Sequence, residues 1–131
     1  MAQRGGLILE KSRKNALEEI ERWSKEIKRG AASLAIVAIL DEQTAYGYEI
    51  VKTLGERASF LQLEQGTVYP LLRRLEKRKL LESEWNYDDP KKPKKYYKLT
   101  ADGKMALQMM TETWSVLSDE LRRLLEGADS Q

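Results

Sequence analysis

Neither cysteine nor histidine occurs anywhere in the 131 residues. Their joint absence excludes disulfides, thiolate nucleophiles, Cys/His zinc sites, Ser-His-Asp triads and imidazole acid–base catalysis. Carboxylate or lysine chemistry would remain, but no acidic residue interrupts an apolar stripe in the way a buried catalytic pair would. No enzymatic activity, metal or cofactor is therefore expected. Long apolar runs are missing as well. The longest, LAIVAIL (Leu34–Leu40), is far shorter than the roughly 20 residues of a membrane-spanning helix, and the N-terminus lacks the apolar region of a signal peptide. A soluble cytoplasmic protein with no membrane partner is expected.

Charge is present in quantity but unevenly placed. The net charge is only +2, yet Met1–Gln65 carries 10 basic and 10 acidic residues, Gly66–Lys104 carries 11 and 6, and Met105–Gln131 carries 2 and 5. The middle third is therefore distinctly basic and the tail acidic. Such an asymmetry points either to an anionic partner for the middle third or to an ordinary solvated surface.

Periodicity divides the chain into elements. Leu17, Ile20, Trp23 and Ile27 recur at helical spacing between Glu10 and Lys28, with Gly30 as the expected stop. A second helix, Ala31–Leu40, is apolar nearly all round and belongs at the centre of the domain. After a polar turn, Thr44 is the expected N-cap of a third helix through YGYEIVKTLGER, with Tyr48, Val51 and Leu54 or Gly55 on one stripe. A fourth helix follows in QGTVYPLLRRLEK, burying Val68, Leu71, Leu72 and Leu75, with Pro70 expected in its first turn. Beyond Leu80 the pattern turns to alternation. LESEWNY and KYYKL read as two strands, and the proline-containing DDPKKPK between them reads as the tip of a hairpin. Thr100 should cap a last long helix, in which Leu107, Met110, Trp114, Leu117, Leu121 and Leu124 are spaced 3, 4, 3, 4 and 3 apart. That is a heptad seam, and a second copy of the chain would cover it; packing onto the Leu17–Ile27 helix is the other reading.

Helices, then a hairpin with a basic tip, then a flanking helix is the order of a winged helix-turn-helix, a mainly α fold with a small β-hairpin. In that architecture the last core helix enters the DNA major groove and the wing reaches phosphates or the minor groove. The expected division is an N-terminal helical extension over 1–30, a winged-helix DNA-binding domain over 31–100 and a C-terminal dimerisation helix over 101–131.

The segments YGYEI (Tyr46–Ile50), GTVYPLLRRLE (Gly66–Glu76), LLESEW (Leu80–Trp85) and KKYYKLTADGK (Lys94–Lys104) together resemble the PadR family of transcriptional regulators. The resemblance implies a prokaryotic homodimer that binds double-stranded operator DNA, often a repressor released by a small molecule. It also implies that the C-terminal helix makes the dimer. Lys79 departs from the family, which usually has glycine there, and residues before Ala31 lie outside its shorter members.

Candidate DNA contacts are Gln65, Thr67, Tyr69, Arg73 and Lys77 on the fourth helix, Tyr46 before it, and Lys91, Lys92, Lys94 and Lys95 in the hairpin. Gln and Arg can contact adenine and guanine bidentately, whereas lysines neutralise phosphates. Thr67 could instead cap its helix, and Tyr69 could pack against the wing. Tyr48, Trp85, Tyr96 and Tyr97 read as packing residues. Trp114, and with it Trp23, could line a site for a flat aromatic effector, as in relatives that bind such compounds, or simply pack. The alternative function is a winged-helix protein-interaction module that does not bind DNA specifically.

Overall fold

The computed structural model describes residues 2–127. Its first element is one continuous helix, α1 (Ala2–Glu42), where the sequence suggested two helices divided at Gly30. Gly30 is followed at once by Ala31 and Ala32, strong helix formers, with no turn residue to continue a break. A mid-helix glycine costs about 1 kcal/mol relative to alanine. Burial of the next turns offsets that, since Ala32, Ile36, Val37, Ile39 and Leu40 all lie in the core. Farther toward the N-terminus Leu17, Ile20 and Trp23 are exposed.

A two-residue strand, β1 (Ala45–Tyr46), leads into α2 (Gly47–Arg57). Thr44 therefore does not cap α2. Tyr46 occupies the cap position with extended backbone, and its N–H donates to Glu49 Oε1 at 3.2 Å. Because the helix starts at Gly47, its buried face is Gly47, Ile50 and Leu54. Of the expected stripe, Leu54 is buried and Val51 packs on the core, whereas Tyr48 is exposed.

A short 3₁₀ turn (Ser59–Leu61) connects to α3 (Gln65–Lys77), which buries the four residues expected of it, Val68, Leu71, Leu72 and Leu75. The end of α3 answers the question posed by Lys79. This residue adopts φ 66, the left-handed conformation. Lys79 N donates to Glu76 O at 2.9 Å and Leu80 N to Leu75 O at 3.0 Å, the hydrogen-bond pair of a Schellman cap with lysine in the place that glycine usually takes.

β2 (Leu81–Asn86) and β3 (Lys94–Leu99) form the expected antiparallel hairpin, and β1 adds a third strand on the far side of β3. Leu81 pairs with Leu99, Ser83 with Tyr97 and Trp85 with Lys95, while Ala45 pairs with Tyr97. Only the base of the hairpin reaches the core, through Leu81, Tyr97 and Leu99.

Thr100 caps α4 (Ala101–Gly127) as expected, its Oγ1 accepting from Gly103 N at 3.0 Å. The same hydroxyl donates to Lys79 O at 2.7 Å, tying the start of α4 to the end of α3. Gly103 is buried there against the Leu80 carbonyl, where a Cβ would overlap that oxygen. Beyond Leu107, which packs on the core, α4 leaves the domain. Trp114, Leu117, Leu121 and Leu124 are exposed. Among the described residues no helix is long and apolar enough to cross a membrane.

Candidate nucleic-acid interface

The arrangement α2, turn, α3, hairpin leaves one face of α3 free. Gln65, Gly66, Thr67, Pro70, Arg73, Arg74 and Lys77 are exposed on it, while the opposite face is locked into the core. Glu64 stands at the cap position and no side chain caps the helix. Thr67 is not the cap, because it lies within the first turn, its N–H bonded to Glu64 O at 2.9 Å. Pro70 lies one turn later than expected, inside α3. Its missing N–H leaves the Gly66 carbonyl without the usual i+4 donor, and Gly66 faces open space.

Tyr69 is half-buried and its ring lies against Gly47 at the start of α2. A Cβ on Gly47 would stand 3.0 Å from the Tyr69 hydroxyl oxygen and closer still to the ring carbons. This explains the glycine between two tyrosines in Tyr46-Gly47-Tyr48, because the approach of α3 to α2 requires a residue without a side chain. Tyr46 stacks on Tyr48 with ring centroids 6.3 Å apart and meets Tyr96 edge-on at 5.3 Å.

The hairpin tip is held by its aspartate and asparagine side chains. Asn86 Oδ1 accepts from Asp88 N at 2.8 Å, and Asp89 Oδ1 accepts from Lys91 N at 3.1 Å. Lys91 and Lys92 are exposed on this tip. Lys94, just after it, places its ammonium 4.7 Å from the centre of the Tyr46 ring. Lys95 is differently engaged. Its Nζ lies 3.1 Å from Glu76 Oε1, with both side chains about two-thirds buried, and Ser83 donates to the other Glu76 oxygen. The Ser83 hydrogen bond, followed by the Lys95 ammonium, holds the Glu76 carboxyl below the usual carboxylate range, and Glu76 in turn raises Lys95. This trio clamps the hairpin to α3 and so fixes the angle between them.

Between α3, the start of α2 and the hairpin lies a concavity of about 500 Å³ lined by Tyr46, Gly47, Tyr48, Tyr69, Arg73, Trp85, Pro93, Lys94, Lys95 and Tyr97. Three of these residues, Tyr48, Trp85 and Tyr97, read as packing from sequence alone, yet Tyr48 is 51% and Trp85 52% exposed. Strand alternation does put Trp85 on the face of Leu81 and Ser83, but the hairpin outruns the core after two residue pairs. Tyr97, by contrast, is buried as expected, and Tyr96 is half-buried.

A second concavity, about 300 Å³ and predominantly apolar, lies between α1 and α4, lined by Gly30, Ala31, Leu34, Met109, Met110, Thr113, Trp114 and Leu117. Trp23 does not line it. The two helices thus meet near Leu34 and Met110, while Leu17, Ile20 and Trp23 of α1 and Leu121 and Leu124 of α4 stay exposed.

Comparison with known proteins agrees with this geometry. The pattern of the family described as "Transcriptional regulator PadR-like family" matches residues 36–109, from the core of α1 to the first turns of α4. The chain is similar to the crystal structure of a PadR family transcriptional regulator from Eggerthella lenta, with 37% identity and a TM-score of 0.77 over 86% of this chain and 96% of that one. It is similar to a PadR family transcription regulator from Clostridium difficile, with 34% identity and a TM-score of 0.65 over 72% of this chain and 98% of that one. Bacillus subtilis PadR, solved in complex with operator DNA, shares 26% identity and a TM-score of 0.59 over 62% of this chain and 45% of that one.

Proposed function

Because this chain belongs to the PadR-like family of transcriptional regulators, we propose that it acts as a homodimeric, cytoplasmic repressor that binds operator DNA through α3 and the β2–β3 hairpin. The observation that carries this reading is the single concave face on which Arg73 of α3 and Lys94 of the hairpin stand together, beside the exposed Gln65, Thr67, Lys91 and Lys92. Gln65 and Arg73 are the base readers, with bidentate geometry for adenine and guanine respectively. Thr67, Tyr69, Tyr46 and Lys77 serve phosphates or position the helix, and Lys91, Lys92 and Lys94 neutralise the backbone. Lys95 contributes indirectly, through its clamp on Glu76.

The dimer forms along Leu107, Met110, Trp114, Leu117, Leu121 and Leu124. Exposure of the last four supports this, because an uncovered apolar seam along a helix about 40 Å long needs a partner. Two-fold symmetry then calls for an inverted-repeat operator with half-sites about 34 Å apart or a multiple of that. The apolar space beside Trp114 suits a small aromatic effector, and its volume of about 300 Å³ is at the lower end for ligand sites. Division into an extension (1–30), a winged-helix domain (31–100) and a dimerisation segment (101–131) completes the proposal, with α1 crossing the first boundary and residues 1 and 128–131 lying outside the described residues.

An electrophoretic shift with DNA from the protein's own promoter region at low salt tests the reading, and absence of any complex refutes it. Arg73→Ala should relax sequence preference. Lys91→Ala and Lys92→Ala should weaken all sequences alike, each lowering the salt slope by about 0.9. Identical losses from both classes would overturn this division of roles.

A further inference from the structure

We propose that the concavity between α3, the start of α2 and the hairpin seats one sugar–phosphate strand of the DNA, with Tyr48 and Trp85 packed against its deoxyriboses and Lys94 against its phosphates, while Arg73 passes beside it toward the bases. This rests on the DNA reading above and adds to it a contact made by aromatic side chains. The geometry requires a strand at this place. If α3 occupies a major groove and the hairpin tip the adjacent minor groove, the strand that separates the two grooves must cross whatever lies between helix and hairpin. What lies there is this concavity of about 500 Å³.

Its lining fits that occupant in three respects. It contains no carboxylate, and Arg73 and Lys94 make no ion pair among the described residues. Tyr46 and Tyr69 bring phenolic hydroxyls, which can donate to phosphate oxygens. Tyr48 and Trp85 are half-exposed there, although the core is already closed by Leu81, Tyr97 and Leu99 without them. A phosphate would engage only the indole N–H and leave the ring faces without a contact. The C–H faces of deoxyribose do offer an apolar surface on which an aromatic ring can lie, and burying one there is favourable irrespective of salt or base identity.

The test uses the full-length chain and a B-form duplex of arbitrary sequence at low salt, so that backbone contacts alone are read. Trp85 should report the contact as a change in tryptophan fluorescence on titration with duplex, lost in Trp85→Phe while binding persists. Trp85→Ala and Tyr48→Ala should each weaken binding about tenfold, a step of about 1.4 kcal/mol in binding free energy. They should leave the salt slope at its wild-type value, because no phosphate contact is removed. Trp85→Phe, which keeps a ring, should restore most of the affinity, and circular dichroism of each variant separates lost contact from lost fold. Wild-type affinity in both alanine variants, alongside weakened binding by Lys94→Ala, would overturn the proposal and leave the DNA reading intact. Failure of the wild-type chain to bind any duplex at low salt would overturn both.

Discussion

Replacing Lys79 with glycine should stabilise the protein, although it removes a side chain and adds none. At φ 66 the lysine Cβ is forced toward its own carbonyl region, a conformation that costs an L-residue roughly 1–2 kcal/mol. Glycine relieves that strain but returns about 0.4–1 kcal/mol by making the unfolded chain more flexible. Nothing else at this corner is lost. The two cap hydrogen bonds, Lys79 N to Glu76 O and Leu80 N to Leu75 O, run between backbone groups, and Thr100 reaches the Lys79 carbonyl. The net expectation is a gain of about 0.5–1 kcal/mol, or roughly 2–5 °C in Tm for a domain of this size. Urea and thermal unfolding followed by circular dichroism measure it, with Lys79→Asn as an intermediate case and Lys79→Val as the opposite one. Equal stability of the glycine and valine variants would refute the reasoning, because a β-branched residue is strongly disfavoured at positive φ.

Three other outcomes follow from contacts at the site and its supports. Gly103→Ala should destabilise by about 1–3 kcal/mol in urea unfolding, because its methyl group would displace the Leu80 carbonyl and with it the start of α4. Glu76→Gln should flatten the acid limb of stability. The folded carboxyl is held below its ordinary value by Ser83 and Lys95, so the wild-type contribution is present above about pH 4.3 and disappears as pH falls through the lower folded value. Unfolding midpoints measured from pH 7 to pH 3 should therefore converge for the two proteins at the acid end. The proposed pairing along α4 predicts that Leu117→Glu combined with Leu121→Glu gives half the wild-type mass in light scattering while leaving the helix–hairpin domain folded, since both residues are nearly half-exposed in the single chain at 46% and 49%; equal masses would refute the pairing.

Much of the domain was legible in local sequence because local sequence determines it. The four buried residues of α3, the Thr100 cap, the hairpin with its DDPKKPK tip and the heptad spacing of α4 each depend on neighbours within a few positions. The segments that carry the family resemblance follow the same elements in the same order. Gly30 misled because a glycine ends a helix only when the following residues cannot propagate it, and here their burial in the core decides otherwise. The strand at Ala45–Tyr46 was hidden because it exists only by pairing with Tyr96 and Tyr97, about fifty residues away.

The sequence by itself determined the buried face of α3, the hairpin and its tip, the Thr100 cap and where positive charge would gather, since these follow from side-chain spacing, caps and composition. Only the tertiary structure decided how those charges are used. It tied Lys95 to Glu76 and left Lys94 over a tyrosine ring. It also carried Trp85 past the edge of the core into the concavity facing α3. The physical reason is that burial and ion pairing depend on distances between elements. Those distances are set here by α3, the hairpin and α4 meeting at one crowded corner around Leu80, Thr100 and Gly103.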